Sequence, residues 1–127
     1  MDSFTVDKKD NYTLVSTHVE KLDSRFSPDL KSELVQIGNG GEKNIIIDLS
    51  NSRYCDSSGL SALLVANRLC RDANGTFVIT GLQDSVSKLI SISQLDNVLN
   101  ITVTVDEAAK LMNQGETGRD SGDEAAS

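Results

Sequence analysis

A chain of 127 residues with 19 acidic side chains against 12 lysines and arginines carries a formal net charge of −7. With no basic cluster it lacks the electrostatic footprint of a nucleic-acid binder, and no apolar run approaches a membrane span. Cys55 and Cys70 have neither metal-ligand spacing nor the pattern of a disulfide framework, and the polar N-terminus lacks the basic and apolar regions of a signal peptide, so one reduced, cytoplasmic domain without cofactor or metal is expected.

Phe4 to Val6 and Tyr12 to Val19 read as two strands joined by the polar turn Asp7–Asn11, a hairpin at one side of a sheet. Ser27-Pro28-Asp29 then announces a helix, with Ser27 as cap, Pro28 at the first helical position and Asp29 in the first turn. Leu30, Leu34 and Ile37 recur at helical spacing until Gly38-Asn39-Gly40-Gly41 stops the helix. That glycine-rich loop lacks a following Gly-Lys-Ser/Thr and reads as a connector, not a phosphate cradle.

Asn44 to Leu49 is short, apolar and rich in β-branched residues, as a buried strand is. Leu60 to Cys70 is apolar at helical spacing without Pro or Gly. Asn74-Gly75 ends that helix, Thr76 to Gly81 reads as a strand, and Asp84 to Ser93 as a helix with Val86, Leu89 and Ile90 on one face. Ile101 to Val105 alternates as a strand does, and Asp106 caps a short helix through Met112. Residues 115–127 contain no large apolar side chain and are expected to be a disordered acidic tail after a domain spanning residues 1–114. Strands alternating with helices predict an α/β domain: a mixed, mostly parallel central sheet of four to five strands, with helices packed against it.

Between the central strand and helix lies Tyr54-Cys55-Asp56-Ser57-Ser58-Gly59-Leu60. Taken alone, Asp56, Ser57 and Ser58 read as helix caps. A hydroxyl there also sits near unpaired N–H groups and the positive end of the helix dipole, a position suited to phosphate. At 100° per residue, Ala62, Leu63, Val65, Ala66, Leu69 and Cys70 form the arc expected to face the sheet. The opposite side carries Ser57, Leu60, Ser61, Leu64, Asn67, Arg68 and Arg71. Leu60 and Leu64 are apolar on that otherwise polar face, either covered by a neighbouring element or part of a docking patch rimmed by arginines.

Asp48-Leu49-Ser50 through Asp56-Ser57-Ser58-Gly59-Leu60 resembles the signature of the STAS domain, found in bacterial anti-sigma factor antagonists, and the pattern of elements agrees from about Phe4 to Met112. The resemblance implies a STAS-like fold and assigns Ser57, the serine after the aspartate, as the residue phosphorylated by an anti-sigma factor with serine kinase activity. Leu22-Asp23 is similar to the end of the family's Gly-x-Leu-Asp loop, which helps to bind the partner; here Lys21 and Glu20 replace the glycine turn. For Asp23 taken alone, loop solvation and partner contact are both open. Other departures are Cys55 for a larger apolar residue, Ser61 for a frequent glycine, and Arg53 for a small or apolar residue.

The expected function is therefore partner switching. Unphosphorylated, the protein binds the anti-sigma factor through Leu22, Asp23, Asp56, Ser57, Ser58, Gly59, Leu60, Ser61, Leu64 and Arg68; phosphorylation of Ser57 releases it, and a serine phosphatase resets it. The alternative is a STAS docking subunit of a membrane lipid-transporter assembly. A small hydrolase using Ser57 ranks last: the Gly-x-Ser-x-Gly elbow is absent, and the one histidine, His18, lies on an early strand. Asp48 and Asp56 have no clustered ligands around them that would suggest metal-assisted chemistry.

Overall fold

The computed structural model describes residues 3–120, with side-chain surroundings through Met112. Its five-stranded sheet has the order β1-β2-β4-β6-β7, where β1 is Phe4–Lys8, β2 Thr13–Thr17, β4 Ile45–Asp48, β6 Phe77–Thr80 and β7 Asn100–Thr102. The hairpin β1–β2 is antiparallel, and every other pair in the sheet is parallel. Parallel neighbours require crossovers, which α1 (Ser27–Asn39), α2 (Ser57–Asp72) and α3 (Asp84–Ile92) supply; α4 (Val105–Asp120) follows the last strand.

Each central strand buries both faces, which is why Ile45-Ile46-Ile47 and Phe77-Val78-Ile79 read as continuous apolar runs. Val15, Ile45, Ile47, Phe77 and Ile79 join the main core with Leu30 and Leu34 of α1, Leu63 and Ala66 of α2, and Val86 and Ile90 of α3. On the other face Ile46 and Val78 meet Ala108 and Met112 of α4.

Two elements escaped the sequence reading. β3 (Lys21–Leu22) and β5 (Tyr54–Cys55) pair in parallel as a separate two-stranded sheet. Two residues offer no alternation to read, yet this pairing clamps the Leu22-Asp23 loop beside the start of α2. The strand expected over Ile101–Val105 is Asn100–Thr102, and the helix after it begins at Val105, includes Asp106 (which is therefore not its cap) and continues past Met112 to Asp120. The part of the expected tail at residues 121–127 lies outside the described residues.

Ser27 is not the cap of α1. The helix already includes it, and its hydroxyl donates back to the Asp23 carbonyl at 2.8 Å. A buried hydroxyl needs a partner, and the tight turn at Asp23 supplies one.

Candidate functional site

The start of α2 is set by Asp56. Its backbone is extended, and its carboxylate accepts from the N–H groups of Ser58 (2.9 Å) and Gly59 (3.1 Å). These are two of the orphan donors of a helix start, so the cap is the aspartate and not a serine. The Ser58 hydroxyl donates to the same carboxylate oxygen at 2.6 Å and lies 3.1 Å from the Ser27 hydroxyl. The single Ser58 proton goes to Asp56 and the single Ser27 proton to the Asp23 carbonyl, so the two hydroxyls stand as polar neighbours that bring the starts of α2 and α1 together. That Ser58 bond is the main reason the Asp56 carboxyl titrates below its ordinary range, while partial desolvation and, less, the Asp23 charge push the other way.

Ser57 stands outside these bonds. It is exposed, and among the described residues its hydroxyl has no hydrogen-bond partner. The adjacent serines therefore differ chemically: Ser58 is engaged and partly covered, Ser57 free and accessible.

Gly59 shows why glycine stands at this turn. A Cβ there would lie 2.6 Å from the Leu22 carbonyl oxygen and 2.7 Å from the Cys55 sulfur. The backbone of α2 can therefore pass close over β3, which brings Asp23 and Asp56 to one surface. Asp23 is gripped by its neighbour: the Arg25 guanidinium donates to both carboxylate oxygens, at 3.1 and 3.0 Å. This pairing holds the Asp23 carboxyl below its usual range, and the same guanidinium lies 5.3 Å above the Phe26 ring.

The structure places the remaining predicted contact residues unequally. Ser61 and Arg68 are exposed, and Asp23, Asp56, Ser58 and Leu64 are partly covered. Leu22 at 0% exposure, Leu60 at 7% and Gly59 are buried. These three cannot offer contact area from the folded domain; they position their neighbours instead. For Leu60 the covered-face reading holds, because it packs in the cluster that contains Val86, Ile90 and Leu99. The buried surface of α2 is accordingly wider than the arc drawn from spacing and takes in Asn67 as well, while Val65 and Leu69 are only partly covered. Tyr54 is 47% exposed beside Asp56 and was not singled out from sequence; a lone aromatic in a two-residue strand carries no periodic signal.

Cys55 and Cys70 are buried, and burial pushes their thiols up to about 12 and about 11, so neither offers a thiolate. The His18 ring engages Thr5 (2.9 Å) and Asn51 (3.5 Å), not Ser57. Asp48 accepts from the Ser50 N–H in its own turn. Arg53 lies 3.6 Å from Glu20 on the surface. No group of three or more potential metal ligands occurs among the described residues, and none of their helices is long and apolar enough to cross a membrane.

The start of α2 thus presents one exposed, unengaged serine, Ser57, next to the Asp56 cap. The chain belongs to the STAS domain family, whose model matches residues 4–108. Among relatives, the provisionally named anti-sigma factor antagonist BtrV of Bordetella bronchiseptica is 26% identical over 105 residues, covering 83% of this chain and 90% of the relative. The anti-sigma factor antagonist STAS domain protein of Planctomyces limnophilus superposes with a TM-score of 0.80 at 18% identity, over 87% of this chain and 97% of that one. The Bacillus cell fate determinant SpoIIAA in its phosphorylated form gives 0.67 at 17% identity, over 84% and 96%. The expected fold, a mostly parallel mixed sheet under helices, is the fold observed.

Proposed function

We propose that this chain is an anti-sigma factor antagonist that works by partner switching: it binds an anti-sigma factor with serine kinase activity when unphosphorylated and is released when Ser57 receives a phosphate. The observation that carries this reading is the contrast at the start of α2, where the Ser57 hydroxyl is exposed and unengaged while that of Ser58 is held by Asp56 beside Ser27. A kinase must reach a hydroxyl and deprotonate it, and only Ser57 offers that without dismantling the cap. The antagonist names of relatives and the phosphorylated form of SpoIIAA point the same way.

The chain supplies the hydroxyl; the kinase brings ATP, magnesium and the base. The docking surface is formed by Asp23, Tyr54, Asp56, Ser57, Ser61, Leu64 and Arg68, and Leu22, Gly59 and Leu60 fix its shape from below. Phosphorylation adds about −1.5 to −2 charges. In the free domain this charge lies at the positive end of α2 and in water. Asp56 already takes the N–H groups of Ser58 and Gly59, so the helix end cannot wrap the phosphate fully. In a closed interface, two charges about 6 Å from a partner carboxylate at an effective dielectric near 20 repel by roughly 5 kcal/mol, an upper-range figure. Half of that weakens binding by nearly two decades. A serine phosphatase resets the cycle.

The test is phosphorylation by the anti-sigma factor kinase and ATP, followed by peptide mass mapping of wild type, Ser57→Ala and Ser58→Ala. Phosphate confined to Ser57 is expected; phosphate on Ser58, or retained by Ser57→Ala, overturns the assignment.

A further inference from the structure

Alternate residues of β2 face the core, and the last of them is polar: Thr17 is 0% exposed. It meets Ser52, which lies in the loop between β4 and β5 and is 1% exposed. Hydroxyls withdrawn this far from water need partners, and these two stand 2.7 Å apart. The Ser52 proton goes to the Val19 carbonyl oxygen at 2.7 Å. Each hydroxyl donates once, so Ser52 accepts the Thr17 proton. The Asp48 carbonyl oxygen, 3.4 Å from the Thr17 hydroxyl, is the weaker partner. A buried relay from Thr17 to Ser52 to Val19 therefore ties the end of β2 to the loop that leaves β4.

That loop delivers the docking surface. Just past Ser52, the N–H groups of Arg53 and Tyr54 both donate to the Glu20 carbonyl, at 2.8 and 3.1 Å. Tyr54 and Cys55 then pair as β5 with Lys21 and Leu22 of β3, and the Asp56 N–H donates to the Leu22 carbonyl at 3.3 Å. Two-stranded pairs have little cohesion of their own, and this one has two residues a side. Lys21 and Tyr54 are exposed, so only Leu22 and Cys55 hold it to the core. Its near end is fixed by Ser52, whose hydroxyl grips the Val19 carbonyl one residue before Glu20.

The relay spans both segments that supply the docking surface. It ends on the stretch that leads to Asp23, and its middle member opens the stretch that leads to Tyr54, Asp56 and Ser57. We infer that Thr17 and Ser52 are positioning residues for the switch: their buried relay sets the seat of β3–β5, and with it the placement of Asp23, Tyr54 and the Asp56-Ser57 turn. The effect on docking rests on the partner-switching reading, whereas the effect on placement does not.

Thr17→Val keeps the shape of the side chain and removes the hydroxyl, while Thr17→Ser keeps the hydroxyl. Each full chain is measured well below its melting temperature, first without any partner, through the backbone amide resonances of Tyr54, Ser57, Ser58 and Gly59. Thr17→Val should shift them, and Thr17→Ser should return them towards wild type. Steady-state phosphorylation by the anti-sigma factor kinase is the second readout. Thr17→Val should raise the KM for the chain roughly three- to ten-fold, the size of one net hydrogen bond, with kcat near wild type, because binding and not chemistry is weakened. Ser52→Ala should do the same, and the double variant should be no worse than Ser52→Ala alone, because the two hydroxyls act as one unit. A lower melting temperature with unmoved amides and an unchanged KM overturns the inference, and so does failure of Thr17→Ser to restore them. If wild type takes no phosphate on Ser57, the switch reading fails by itself; the relay then stands on amides that move and are restored, and falls if they do not move.

Discussion

Asp56 joins the fold to the switch, and its removal has a calculable effect. In Asp56→Ala the N–H groups of Ser58 and Gly59 lose their acceptor, and the Ser58 hydroxyl loses its shortest bond. Loss of an N-cap costs about 0.5–2 kcal/mol, and Asp56 lies at the upper end because one carboxylate serves three donors. For a domain of this length about 1.5–2 kcal/mol corresponds to a fall of roughly 5–8 °C in melting temperature. Asp56→Asn keeps an oxygen at the cap and loses the charge, so it should fall less. The pH dependence separates the two contributions. The folded Asp56 carboxyl titrates below its ordinary value, chiefly through the Ser58 bond. Its charge-dependent stabilisation is therefore fully present above the unfolded value near 4 and is lost as pH falls through the folded value. Urea titrations at neutral pH and near pH 3 should show the gap between wild type and Asp56→Asn closing at the lower pH. Equal stability of wild type and Asp56→Ala at neutral pH would refute the capping argument.

Gly59→Ala should destabilise the domain by about 1 kcal/mol or more, although in an open helix the same change stabilises by about that amount. The sign follows from the 2.6 Å approach to the Leu22 carbonyl, and a more stable variant in urea unfolding would contradict it. Leu60→Ala should lose about 2–5 kcal/mol of unfolding free energy, as a buried leucine does. Leu64→Ala, at a half-buried position, should lose clearly less while weakening partner association. Equal losses of stability at both positions would show that the two leucines share one environment.

The sequence made the architecture readable because the central strands are continuous apolar runs and the crossover helices keep their spacing. It also located the Asp56-Ser57 turn, where capping chemistry and the family signature coincide. What stayed hidden depends on contacts between distant segments. The β3–β5 pairing has two residues on each side, too few for a pattern, and it alone explains why Leu22 is core and Asp23 surface. The role of Ser27 was misread because Ser-Pro-Asp is a strong cap signal, whereas its hydroxyl is drawn back to Asp23 and towards Ser58. Leu60 and Asn67 fell on the face taken as exposed because helical spacing assigns one buried arc. α2 packs against more than the sheet: α1 lies along one flank, and residues near α3 share the core cluster with Leu60.

The central claim is that one phosphate on Ser57 abolishes docking without disturbing the fold. Its most direct measurement is a binding titration of the anti-sigma factor with wild type, Ser57→Ala and the Ser57 phosphoprotein, with a melt of each. The account predicts near-equal melting temperatures, retained binding for wild type and Ser57→Ala, and affinity at least ten-fold weaker for the phosphoprotein, a conservative bound on the repulsion worked out above. Phosphoprotein that binds as tightly as wild type, or that loses binding only because it unfolds, would contradict it.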